Sequence, residues 1–159
     1  MSRLYTVEFE NVTITNAGGP ADIFELDAAA GKPIEVVGMK LYTVSELQEA
    51  QEEWIRLRWI RGHTTSGSTP NSSPTPAPVA VTDQAAGFTC EVYNTTEASA
   101  GTAVNLESLA FNVRAGYEFF YPELMGSKTS EANLLVLRML STVADDVSMT
   151  GTLWVLEQG

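Results

Sequence analysis

His63 and Cys90 are the only histidine and the only cysteine of the chain, and they bound the chemistry the sequence can carry. A metal centre on a β scaffold draws on several histidines with a carboxylate, and a Ser-His-Asp relay needs an imidazole held rigidly. His63 stands at the mouth of "RGHTTSGS", where rigid positioning is hardest, so it reads as a hydrogen-bonding loop residue. One cysteine forms no internal disulfide, and Cys90 reads as an inert strand residue. The carboxylate pairs Glu46 and Glu49, Glu52 and Glu53, and Asp145 and Asp146 fall in polar turns or strand edges, where solvation is expected rather than acid catalysis. No G-x-S-x-G elbow and no phosphate loop ending in Lys-Ser/Thr is present. The expectation is a protein without catalytic residue, cofactor or metal.

Residues suited to binding are easier to find. In "EEWIRLRWIR", period-two alternation puts Ile55, Leu57 and Trp59 on one face and Trp54, Arg56, Arg58 and Ile60 on the other. The first set reads as core. The second has two uses: arginines paired with neighbouring carboxylates on a solvated sheet, or a face that meets a partner, since Trp and Arg are enriched at binding hot spots. Tyr117, Phe119 and Tyr121 of "GYEFFYP" share one parity, as core-facing strand residues or as a platform for stacking a sugar.

These side chains need a scaffold, and the composition supplies one. The chain is 44% hydrophobic and 18% charged, which is globular rather than disordered, and its 159 residues suit one domain with a core of its own. A formal net charge of −11 argues against a nucleic-acid partner and against anionic lipid, because both need clustered Lys and Arg. The N-terminal residues show no secretion signal, and the densest apolar run, "ANLLVLRML", is strand-length and broken by Arg138, so no membrane span is expected. The Asn-X-Ser/Thr triplets at Asn11, Asn71 and Asn94 then read as coincidences.

Nearly every ordered stretch has period two. Tyr5, Val7 and Phe9 share a face, and Val12 and Ile14 continue on the opposite parity, which predicts a bulge near Glu10-Asn11. "DIFEL" and "PIEVVGMKLYTV" follow, with Gly38 a second bulge candidate. "SELQEAQEE" is the one plausible helical turn. Later come "GFTCEVYN", "GTAVNLE", "LAFNVRAGYEFFYP", "ANLLVLRMLST" and "SMTGTLWVLEQ", separated by turn residues. Such a run of short strands predicts an all-β fold, a jelly-roll-like two-sheet β-sandwich forming a single domain over 1–159. The late strands are apolar on both faces, which calls for cover by the long loop or by another subunit.

The exception is Arg61 to Phe88, which holds four of the chain's seven prolines. Unstructured segments beyond roughly 12–15 residues are uncommon inside compact domains, so residues 62–87 read as an extended loop or arm. Pro70, Pro74, Pro76 and Pro78 bias it toward an extended form at about 3 Å per residue, long enough to reach a neighbour.

The combination of "RGHTTSGS", a Pro/Ser/Thr spacer, "AAGFTCEVYNTTEASAGTAVNLESLAFNVRAGYEFFYPE" and "SMTGTLWVLEQ" resembles a family of small all-β virion proteins of tailed phages and prophages. That resemblance implies a head decoration, or cement, protein: a homotrimer made in the host cytoplasm that binds the major capsid protein on the capsid exterior and bridges capsomers against genome pressure. Trp54, Arg56, Arg58, His63, Pro70, Pro74, Pro76 and Pro78 are the residues expected at that contact. The alternative is a carbohydrate- or host-binding module of a fibre or tail, using Trp54, Tyr117 and Tyr121.

Overall fold

The computed structural model describes residues 2–45, 52–123, 125–129 and 133–159. Their strands are β1 (Ser2–Ile14), β2 (Asp22–Asp27), β3 (Ile34–Thr43), β4 (Trp54–His63), β5 (Ser68–Ser72), β6 (Ala77–Pro78), β7 (Thr89–Thr96), β8 (Val104–Asn112), β9 (Tyr117–Phe120), β10 (Ser127–Thr129), β11 (Leu134–Met139) and β12 (Val147–Gln158). Two antiparallel sheets pack face to face as a β-sandwich. The first runs β10-β3-β12-β1-β6, with β9 also on β3, and the second runs β5-β7-β2-β11-β4-β8.

Eight of these strands pair in the orders 1-12-3-9 and 2-11-4-8, the two interleaved Greek keys of a jelly roll. The three extra strands between β4 and β8 all attach at one side of the sandwich, β7 and β5 beyond β2, and β6 beyond β1. Segment 62–87 therefore does not remain outside the sheets, which corrects the expectation of a loop with no structure of its own. Pro70 lies opposite Asn94 in the β5–β7 pair, and Pro78 opposite Tyr5 in the β6–β1 pair. Both occupy outermost strands, where a residue without an N–H costs the sheet nothing on its free side. Between them Pro76 is buried against the chain's own domain.

Alternation builds the core as the sequence predicts. Tyr5, Val7, Phe24, Leu26, Leu57, Trp59, Leu153 and Val155 all turn inward and are buried. The β1 parity change falls where expected: the β1–β12 register shifts between Phe9 and Val12, and Asn11 takes φ 53°, a short polar residue in left-handed backbone. A second shift lies opposite Gly38, where the Phe120 ring lies against the glycine so closely that a Cβ would fall 2.5 Å from it.

The sequence reading splits "GTAVNLE" from "LAFNV"; the structure runs them together as β8, because Glu107 and Ser108 continue the pairing with Trp59 and Arg58 without a break. Most of the proposed helical turn, "SELQEAQEE", and the pair Glu46 and Glu49 lie outside the described residues. The two-sided apolar character of β11 has an internal cause. Leu135, Leu137 and Met139 face the core, while Leu134 and Val136 join Ile60 and Ala98 in a second buried cluster on the outer face of that sheet. The cover is the chain itself: a bridge between Thr65 and Ser99 holds two loops over this patch. No helix among the described residues is long and apolar enough to cross a membrane.

Candidate functional site

The alternation of β4 presents Trp54 and Arg56 to solvent and leaves Arg58 half-buried, on the face opposite Leu57 and Trp59. Trp54 is 58% exposed, a large aromatic surface on a strand paired with β8 from Trp54 to Arg61. Across the ladder from Arg56 and Arg58 stand Ala110 and Ser108. The carboxylate pairing weighed from sequence does not form: among the described residues neither guanidinium has a carboxylate within ion-pair distance, and Arg58 Nε donates to Ser108 Oγ at 3.0 Å instead.

Next to this face, at the side of the sandwich away from the proline-bearing strands, lies a cleft of about 440 Å³ between β8 and the β9–β10 region. Leu106, Phe119, Tyr121 and Met125 form its apolar walls, and Arg61, Glu107 and Lys128 its polar rim. Arg61 keeps the inward parity of Leu57 and Trp59, opposite Leu135 of β11, and so faces this mouth beside a bulge at Leu106 of β8. Lys128 is held by Glu35 at 3.3 Å, whereas Arg61 has no ion-pair partner among the described residues. Tyr121 donates to Glu107 Oε2 at 2.5 Å; burial first, and then that bond to a carboxylate, push its phenol well above the ordinary tyrosine range. Tyr117 is half-buried and packs in a ring series with Phe111 and Phe119, centroids 6.2 and 6.4 Å apart. Of the aromatic residues considered for sugar stacking, Tyr117 and Tyr121 are thus partly committed to the core, while Phe119 is 41% exposed.

His63 does not sit in a mobile loop. It is the last residue of β4 and is buried, with Nδ1 3.1 Å from the Ala100 carbonyl and Nε2 3.5 Å from Arg138 Nη1. Its expected place among surface partner residues is corrected by that burial, which follows from the two loops laid over the outer face of the sheet. The group it joins is polar and tightly bonded. Arg138 grips the buried Asp22 through Nε and Nη2 at 2.7 and 3.0 Å, and Asp22 Oδ2 also accepts the Ala98 N–H at 2.7 Å. Burial lowers the tendency of Arg138 to hold its proton, but the bonds and charge of Asp22 together with the charges of Glu97 and Glu25 outweigh that and raise its pKa. Beside it, Glu25 accepts from Ser66 Oγ, Gly67 N and Asn94 Nδ2 at 2.5, 2.9 and 2.9 Å. The lone arginine in the apolar run "ANLLVLRML" was the sequence signal for this network.

The remaining candidates are structural. Cys90 is buried in the core, and burial raises its thiol far above the ordinary range, so the reactive thiolate is suppressed. Glu53 accepts the Ala144 N–H and Asp146 the Asn16 N–H, each at 2.8 Å, so both carboxylates tie turns together. Pro70 is exposed, and Pro74 and Pro78 are half-buried along the chain's own surface. On the outer face of the other sheet Lys40 Nζ lies 5.9 and 5.7 Å from the ring centroids of Phe120 and Trp154 and 3.0 Å from Glu118, a cation–π cluster that strand parity alone does not reveal. Compared with known protein families, curated proteins and solved structures, the chain matches none.

Proposed function

We propose that this chain is a structural protein of a tailed-phage virion, a decoration or cement protein that binds the outside of the head and bridges neighbouring capsomers. The observation that carries the reading is Trp54, exposed on a strand paired on both sides, beside Arg56 and Arg58. On a molecule of net charge −11, a solvent-facing tryptophan flanked by cations that form no ion pair among the described residues has little to do for the fold. Trp and Arg on a pre-organised strand are what a protein-binding hot spot requires. The resemblance to virion proteins and the jelly-roll scaffold support the same reading.

In this proposal the partners are the major capsid protein and two further copies of the chain in a homotrimer, so that three modest contacts gain by effective concentration. The action is mechanical, with no catalytic step, cofactor or metal. Because segment 62–87 pairs within its own domain, the contact is assigned to the β4 face and not to a free arm. Co-sedimentation with undecorated shells of the same virion tests it. The wild-type protein should pellet with shells, and Trp54→Ala or Arg56→Ala should each weaken binding about ten-fold. Equal binding by both variants would remove this face from the contact, and no binding by the wild-type protein would remove the reading.

The cleft favours a second reading, a carbohydrate- or host-binding module of a fibre or tail. Phe119 offers an exposed ring with Arg61 and Glu107 near it to bond hydroxyls. Retention on immobilised host surface polysaccharide, lost in Phe119→Ala, would support it over the first.

A further inference from the structure

We propose that β8 accepts one more strand, an extended acidic segment of the polypeptide on which the protein docks. The inference rests on the docking reading and specifies how the contact is made.

It begins from the way the sheets end. A strand at the edge of a sheet leaves a row of unpaired N–H and C=O groups, and proteins blunt such edges with prolines, with brevity or with cover. On one side of this sandwich both outermost strands contain proline, Pro70 in β5 and Pro78 in β6. On the other side the first sheet ends in two short pieces, β9 of 4 residues and β10 of 3. The second sheet ends in β8, which is 9 residues long, contains no Pro, Lys or Arg, and pairs only with β4 among the described strands. A bulge at Leu106 interrupts the strand, and residues 107–112 beyond it present about 20 Å of regular backbone with no described strand along the free side.

Its surroundings fit strand addition on both faces. Side chains of an added strand alternate, one set turning toward the inside of the sandwich and one toward the outside. Inward-turning residues would meet the cleft between Leu106 and Phe119, which is apolar and large enough for a branched or aromatic side chain. Outward-turning residues would lie beyond Ser108 and Ala110, whose small side chains let Arg58 and Arg56 reach across β8 toward its free edge. The bond from Arg58 Nε to Ser108 Oγ shows that reach already in use. Guanidiniums at that distance from the edge select an acidic strand, and Arg61 at the cleft mouth adds a third. Backbone bonds along β8 would supply affinity and the two flanks specificity, the division of labour in β-augmentation. Because the other edges are blunted, one strand is taken and the sheet does not propagate.

The test is backbone amide exchange of the full chain, free and bound to undecorated shells, with co-sedimentation run in parallel. Amides of 104–112 that exchange rapidly in the free protein should slow at least ten-fold in the pellet. Ser108→Glu/Ala110→Glu should bind at least ten-fold more weakly at unchanged circular dichroism and melting temperature, and Ser108→Lys/Ala110→Lys should keep binding. Shell binding without slowed exchange in β8 would leave docking intact and overturn strand addition. Failure of the wild-type protein to bind shells would overturn both. Slow exchange in β8 of the free protein together with a dimeric mass would assign the edge to a second copy and overturn the acidic partner strand.

Discussion

Arg138 and Asp22 meet across the β11–β2 ladder in a two-pronged ion pair, with Nε to Oδ1 at 2.7 Å and Nη2 to Oδ2 at 3.0 Å. Asp22 is wholly buried, and Arg138 also donates to the Ala98 carbonyl, so the pair pins a covering loop to the sheet. Removing one charge of a buried pair leaves the other uncompensated, at a cost that exceeds the worth of the pair itself. Asp22→Asn leaves Arg138 only the more exposed Glu97 carboxylate, 3.6 Å from its Nε, and is expected to lower unfolding free energy by about 3 kcal/mol. Urea titration followed by tryptophan fluorescence checks this; an unchanged midpoint would mean that solvent reaches Arg138.

A second prediction concerns the crossing where those loops enter. Gly62 has φ +93°, and a Cβ there would fall 2.2 Å from the Thr102 carbonyl oxygen, a backbone atom that cannot swing aside. Gly62→Ala combines left-handed strain with that overlap and should cost about 3 kcal/mol, a fall in melting temperature of roughly 10 °C. Calorimetry reads it directly, and a fall under a few degrees would show that the crossing is soft.

Alkaline pH should weaken the fold through two groups. Cys90 is held protonated by burial, aided by Glu91 and Glu25, and Tyr121 by burial and its bond to Glu107. Folding raises both pKa values, so the unfolded chain loses these protons first as pH rises past the ordinary values of 9.0 and 10.0. Their contribution is complete below those values and is lost above them, with a slope of up to about 1.4 kcal/mol per pH unit for the buried Cys90 and less for Tyr121, whose partial exposure screens it. Unfolding measured from pH 8 to 11 should show this decline, reduced in Cys90→Ala. A flat profile would contradict the burial of both side chains.

The prolines of the outer strands yield a prediction of their own. If Pro70 and Pro78 guard edges, Pro70→Val/Pro78→Val should fold but associate as concentration rises, which light scattering would report as an increasing mass relative to wild type. The same mass for both proteins would deny them that role.

Much of the scaffold was legible in the sequence, because period-two alternation carries burial directly: Ile55, Leu57 and Trp59 on one face of β4, and the parity change at Asn11, needed no tertiary information. The proline-rich segment reads as a loop because strand propensity is judged as though every strand were central, whereas Pro70 and Pro78 sit where only one side of the backbone is bonded. His63 reads as a surface residue for a related reason. The loops that bury it cross over the sheet through a Thr65–Ser99 bridge, a contact between residues far apart in the chain. Trp54, Arg56 and Arg58 are legible as one face, but that no carboxylate among the described residues pairs with the two arginines and that Ser108 and Ala110 lie beside them depends on which strand becomes the neighbour. The cleft at Phe119 and Arg61 was invisible for the same reason.

The most direct test of the decoration reading is a difference map between electron cryomicroscopy reconstructions of undecorated shells incubated with and without the protein. The account predicts extra density on the outer surface, spanning adjacent capsomers, with the β4–β8 side toward the shell. Unchanged shells, or density confined to a tail or to the shell interior, would contradict it.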